Sequence, residues 1–145
     1  MRYLEIMLLA MLPLTELRGA IPIGIAMDLN PIAVYVASVI GSTIVSIPLI
    51  LTFRHILNFF RNIDIFLPLV KKVDSKIESG MKRLKSISIL GIILFVGIPL
   101  PTTGTWTAAA IASILKMRIK TGLLVVLIGN MISGILVSLI SLHII

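Results

Sequence analysis

Residues 86–115 carry no charged side chain, yet they are interrupted near their middle by Pro99-Leu-Pro101-Thr-Thr-Gly104. An uncharged apolar run of this length belongs in lipid, but its flanks do not suit a single crossing. Lys82-Arg83-Lys85 precede it and Lys116-Met-Arg118-Ile-Lys120 follow it. Basic residues beside apolar segments stay on the cytoplasmic side, so both ends are expected on one face. The segment must then enter, turn and return. Each arm holds about thirteen residues, or roughly 20 Å of helix, which reaches just past the middle of a ~30 Å hydrocarbon core. Proline fixes φ and removes a backbone donor, so it can supply the turn. Non-helical backbone at that depth is tolerated only where protein or a water-filled cavity surrounds it. The expectation is a re-entrant helical hairpin over 86–115.

The first part of the chain has the same layout. Residues 3–28 are apolar but interrupted by Pro13, Glu16, Arg18, Gly19 and Pro22, and residues 31–53 form an uncharged run long enough to span. Residues 54–85 are polar and basic, 86–115 form the second hairpin, and 121–145 form a second clean spanning run. The breaks read Leu12-Pro13-Leu14-Thr15 and Ile98-Pro99-Leu100-Pro101-Thr102, and the spanning runs share Ile40-Gly41 and Ile128-Gly129 at matched positions. The connection after the first hairpin, Asp28-Leu-Asn-Pro31, has no basic residue and is expected outside, whereas the connection after the second is basic and expected inside. The expected architecture is therefore an all-α integral membrane domain over residues 1–145. It comprises two inverted repeats, 3–53 and 86–145, each a re-entrant hairpin plus a transmembrane helix, joined by the cytoplasmic segment 54–85. A single kinked crossing by residues 3–28 stays open as the alternative.

Composition agrees. Apolar residues make up 58% of the chain and charged ones 13%, against about 25% charged in soluble domains. Eight of the thirteen basic residues lie between Arg54 and Lys85, a topology signal rather than a nucleic-acid patch. Within that stretch Phe66, Val70, Val73, Ile77, Met81 and Leu84 recur at helical spacing, and Glu78 and Lys82 form an i,i+4 pair. Such a helix would lie on the inner membrane surface, drawn by anionic lipid. The absence of cysteine excludes disulfides and thiolate metal sites. His55 and His143 lie in separate regions, so no metal site is expected, and no cofactor either. No nucleotide-binding loop and no nucleophile–base pair is visible, so an enzyme is not expected. At the N-terminus Glu5 interrupts the apolar stretch and no small-x-small cleavage site follows; that segment is expected to be retained.

Glu16 and Arg18 stand out because charges at membrane depth are costly, about 2.5–3.5 kcal/mol on insertion scales, and usually face a cavity. Burial and a neighbouring guanidinium act in opposite directions on a carboxyl's proton affinity, which would let Glu16 exchange a proton. A mutual ion pair that only holds the hairpin is the alternative. In the second break Thr102, Thr103, Thr105 and Thr107 can cap free donors at a helix start. The second arms, expected to begin near Gly19 and Gly104, would aim their N-termini at the centre, where N–H groups and dipole favour an anion. Trp106 either packs the hairpin or lines a cavity. Asn130, Gly134 and Ser138, like Ala33, Ala37 and Gly41, form stripes expected to serve close helix packing. Two spanning helices cannot alone enclose two hairpins, so a homodimer or higher homo-oligomer is expected.

Glu16-Leu-Arg18-Gly19-Ala20-Ile21-Pro22 and Ile98-Pro99-Leu100-Pro101-Thr102-Thr103-Gly104-Thr105-Trp106-Thr107 resemble the two signature motifs of the putative small multidrug export protein family. The resemblance covers about residues 12–141. That family in turn looks distantly related to the DedA, or VTT-domain, membrane proteins, which are associated with lipid-carrier translocation and proton-dependent drug tolerance. Thr103 stands where the pattern has glycine, and Ala108 where it often does. Carried over by position, the resemblance points to Glu16, Arg18, Pro22, Pro99, Pro101, Gly104 and Trp106. It implies a multi-pass plasma-membrane transporter, with protons as the coupling ion and amphiphilic, drug-like compounds as substrate. Inverted repeats with discontinuous helices independently favour transport. The rival readings are a flippase or scramblase for an anionic lipid carrier, and a non-transporting membrane scaffold.

Overall fold

A computed structural model of the chain describes residues 1–63, 68, 71–72, 75, 81–100 and 104–144, the side chains of 61 and 81–88 excepted. Among these residues there are six helices: α1 (Arg2–Met11), α2 (Glu16–Ala26), α3 (Pro31–Arg61), α4 (Met81–Gly97), α5 (Thr105–Ile114) and α6 (Ile119–Ile144).

Their ends follow from local chemistry. α1 stops as the chain approaches Pro13, with Leu12 extended at φ −73°, ψ 143°, the conformation that a following proline imposes. α3 opens on Pro31, which loses nothing at the first helical position, and Asn30 caps it by accepting from the N–H groups of Ile32 and Ala33 at 3.0 and 3.3 Å. The helix then continues past residue 53 to Arg61, because nothing between Leu51 and Arg61 breaks it. α4 begins at Met81, inside the stretch expected to be linker, since Met-Lys-Arg-Leu-Lys are good helix formers. The amphipathic pattern from Phe66 to Leu84 and the Glu78–Lys82 pair lie outside the described residues and side chains.

One expectation about the first break changes. Pro22 and Gly19 do not interrupt the chain: α2 begins at Glu16 and runs through both. The break is confined to Leu12–Thr15, where the chain has already turned, and Pro22 removes only one bond from the middle of α2.

Two stretches of the chain are built alike. α2 and α5 both end in a Schellman turn. In the first, Leu29 N–H donates to Gly24 C=O and Asp28 N–H to Ile25 C=O; in the second, Met117 N–H donates to Ala112 C=O and Lys116 N–H to Ser113 C=O. Asp28 and Lys116 both occupy the left-handed region, at φ 57° and 53°. Lys116 lies 88 residues after Asp28, as Ile119 does after Pro31 and Gly129 after Gly41. The two glycines also do the same work. A Cβ on Gly41 would collide with the backbone carbonyl of Met7, and one on Gly129 with Val96, so each glycine marks where a long helix is crossed by the first helix of its own half.

α3 and α6 pack against each other at the centre. α1 lies on α3 and α4 on α6, while α2 packs on both long helices and α5 mainly on α3. Beside an apolar core, polar side chains are buried and large apolar ones exposed. Ser38, Ser42, Ser46, Asn130 and Ser133 are fully buried, whereas Ile32, Val36, Ile40, Ile44, Leu124, Ile128, Ile135 and Leu139 are exposed. Soluble monomers rarely leave contiguous apolar surface of this extent in water. α3 and α6 are the two described helices long and apolar enough to cross a membrane.

Candidate functional site: the meeting of the two breaks

Glu16 begins α2 with φ 45°, a left-handed conformation that costs a non-glycine residue about 1–3 kcal/mol and is often kept at functional sites. It carries the side chain out of the first half and into the second. The carboxylate is buried and lies flush against Gly104, where a Cβ would overlap it. Trp106 N–H donates to Oε1 across a long 3.5 Å, and Thr105 N–H faces the same carboxylate. These N–H groups open α5, where the helix leaves donors unpaired and a partial positive charge. Gly104 has no side chain to cap them, so Glu16 does, 88 residues away.

Arg18, two residues further along, performs the opposite service. Its Nη2 donates to Val96 C=O at 3.0 Å and its Nη1 to Leu100 C=O at 2.5 Å. Its Nε reaches Ser133 Oγ on α6 at 3.5 Å. Val96 lies in the last turn of α4 and Leu100 in the break itself, so a cation meets carbonyls that have run out of intrahelical partners.

A family model described as "Putative small multi-drug export protein" matches residues 16–136. The chain belongs to this family. No curated protein and no solved structure matches it. The matched region opens on Glu16 itself, directly after the first break, and takes in the second break, all of α3 and α6 as far as Leu136.

In this export-family chain the residues singled out by sequence are brought together only in part. Glu16, Arg18, Gly104, Thr105 and Trp106 converge. Gly19 sits in the first turn of α2, its Cα side turned to Thr15, and Pro22 is half-buried in mid-helix. Pro99 is half-buried and Thr107 exposed. Pro101, Thr102 and Thr103 lie outside the described residues. The threonine-capping expectation fails at Thr105, whose hydroxyl turns away from the helix start and donates to Asn130 Oδ1 at 3.2 Å. Asn130 Nδ2 in turn donates to Thr43 Oγ1 on α3 at 3.4 Å. The indole Nε1 of Trp106 is buried without a hydrogen-bond partner among the described residues, and its ring packs with Leu49, Ile50 and Ala109.

Asn130, Thr43 and Ser133 are the residues that sequence reasoning missed as site members. Asn130 was legible as a polar residue on a small-residue stripe, which reads as helix packing. Its role becomes visible only when Thr105 and Thr43 arrive on either side. Together these groups form a buried polar column: carboxylate, helix start, amide and hydroxyl, crossing from α2 through α5 and α6 to α3. Buried polar networks of this kind are stable only when nearly every member is satisfied.

Proposed function

We propose that this member of the small multi-drug export family is a proton-coupled secondary exporter of amphiphilic compounds, with Glu16 as the group that exchanges the proton. One observation carries the reading: the only buried carboxylate among the described residues sits at the contact between two broken helix pairs, inside an assembly whose outer surface is apolar. Protonation would weaken the hold of Glu16 on the start of α5, since a neutral carboxyl is a poorer partner for a helix N-terminus than an anion. The two breaks would then part, which links a proton to an opening. Ionisable groups at membrane depth are functional by default.

Three short helices support a membrane arrangement. α1, α2 and α5 contain 10, 11 and 10 residues, or about 15–17 Å each, half of a ~30 Å core. We read the pairs α1–α2 and α4–α5 as re-entrant hairpins entering from opposite faces, and α3 and α6 as the spans of two inverted repeats. The matched turns and glycine crossings support that reading, and the plasma membrane is the expected location. A homodimer would cover the open apolar groove along α1 and α3, which is lined by Tyr3, Met7, Ala33, Val36, Ala37 and Ile40. The chain has no cysteine, so single cysteines at Ser86 and Lys120 can be labelled from either side. Labelling of both from one face is expected, and labelling from opposite faces would end the hairpin reading.

The lipid-carrier reading asks a phosphate to occupy the same helix start. Glu16 already fills it, which favours the exporter. The test is dye efflux from liposomes holding purified protein, with and without an imposed pH gradient. Efflux is expected to follow the gradient in wild type. Glu16→Gln, which keeps a hydrogen-bonding group but no exchangeable charge, is expected to uncouple it. Equal efflux without a gradient, or coupling retained in Glu16→Gln, would remove Glu16 from the mechanism. A correctly folded protein that moves nothing would favour the scaffold.

A further inference from the structure

Away from the two breaks, the distal part of α3 and the turn after α5 enclose a polar pocket of about 230 Å³, lined by Arg54, Leu57, Asn58, Ser113 and Lys116. Among the described residues that line it, two are cations and none is acidic. The Nε of Arg54 is buried and has no hydrogen-bond partner among the described residues, although an unsatisfied buried donor is normally avoided. Asn58 adds an amide whose two N–H groups can donate. The Ser113 hydroxyl is already directed at Ile50 C=O (3.1 Å) and Ala109 C=O (2.8 Å), so it fixes the wall of the pocket.

Lys116 is the second observation. It occupies the left-handed position of a Schellman turn at φ 53°, where glycine is the ordinary choice and other L-residues are disfavoured. The matched position in the first half holds Asp28, of opposite charge. A lysine here is conformationally awkward, but it puts a second cation on the lining of the pocket with Arg54. The third observation is apolar surface on the same helix. Ile47, Leu51, Arg54 and Asn58 follow one another at spacings of four, three and four, one face of α3, and Ile47 and Leu51 are exposed apolar residues.

We propose that this pocket binds a phosphate group, supplied either by the headgroup of an anionic phospholipid or by a soluble phosphate. The guanidinium would meet the phosphate through paired N–H donors and the lysine as a point charge, while a lipid's acyl chain would run along Leu51 and Ile47. Basic pockets between helices at a membrane face hold such headgroups. The site shares no residue with the Glu16–Arg18 contact and stands or falls independently of the cargo.

The test uses full-length protein, delipidated and then titrated separately with phosphatidylglycerol, phosphatidylcholine and inorganic phosphate, with bound ligand read by native mass spectrometry. Wild type is expected to retain phosphatidylglycerol at least tenfold better than phosphatidylcholine. Arg54→Gln and Lys116→Gly should each weaken that retention about tenfold, and Lys116→Arg should restore it. Lys116→Gly suits the left-handed turn, so it decides the matter even if Arg54→Gln misfolds. Inorganic phosphate binding with the same sensitivity to both variants, and no preference for phosphatidylglycerol, would assign the pocket to a soluble phosphate. Equal retention of both lipids without phosphate binding, or binding indifferent to Lys116→Gly, overturns the proposal.

Discussion

The two breaks solve the same problem with different means. Each ends one helix and starts another, so each must satisfy carbonyls on one side and N–H groups on the other. The first break does this largely from its own half and with neutral groups. Thr15 Oγ donates to Leu9 C=O at 2.5 Å, Ser42 Oγ donates to Ala10 C=O at 2.9 Å, and Glu16 N–H donates to Leu12 C=O at 2.9 Å. The second break takes its charged partners from the first: Arg18 for the carbonyls of Val96 and Leu100, Glu16 for the start of α5. Among the described residues the charged partners run one way. Two units of like backbone have specialised, one supplying charge and the other receiving it.

The comparison can be broken most severely at Gly104. Gly104→Ala forces a methyl into the Glu16 carboxylate, and overpacking at so rigid a point should cost about 3 kcal/mol, read as a fall in thermal stability in detergent. Glu16→Ala in the same chain should recover part of that loss, and a purely additive double mutant would show that the two residues are not coupled. Next comes Arg18→Ala, which leaves two carbonyls without a charged donor and should cost about 2–3 kcal/mol, against about 1 kcal/mol for Ser42→Ala at the first break. Equal losses would mean that the breaks do not differ in kind. The smallest expected effect is a gain. Asp28→Gly relieves a left-handed residue at a turn built like that of Lys116, and after the entropy cost of glycine should add about 0.5 kcal/mol.

Much of this arrangement is legible in the sequence, for reasons that particular residues illustrate. Asn30-Pro31 reads as a helix start because both of its signals are local, and it is one. The breaks near Pro13 and Pro99 are legible because proline acts on its immediate neighbours. Pro22 misleads because the same local rule cannot tell a tolerated proline in a buried helix from one that ends it. The end of the span at 53 and the start of the hairpin at 86 are read from where charge appears, and helices do not stop for charge: α3 runs on to Arg61 and α4 is already helical at Met81. At the site, Glu16 and Arg18 announce themselves by their cost in an apolar setting. Their partners do not. Nothing local to Val96, Leu100 or Gly104 says that a side chain from the other half will arrive, and Thr105 looks like a cap because only the tertiary fold turns its hydroxyl to Asn130.

The flush contact of Glu16 with Gly104 has a consequence for how the molecule is made. Ribosomes deliver residues 1–61 first, so on the re-entrant arrangement proposed above Glu16 and Arg18 exist for a time without Val96, Leu100, Gly104, Thr105 and Trp106. A nascent chain in that condition has every reason to keep Pro13–Arg18 near the aqueous boundary and to sink it only when residues 96–106 emerge. Insertion of the early segment would then be postponed until translation of the late one, and the last turn of α4 would act as the signal that lets the first charges leave water.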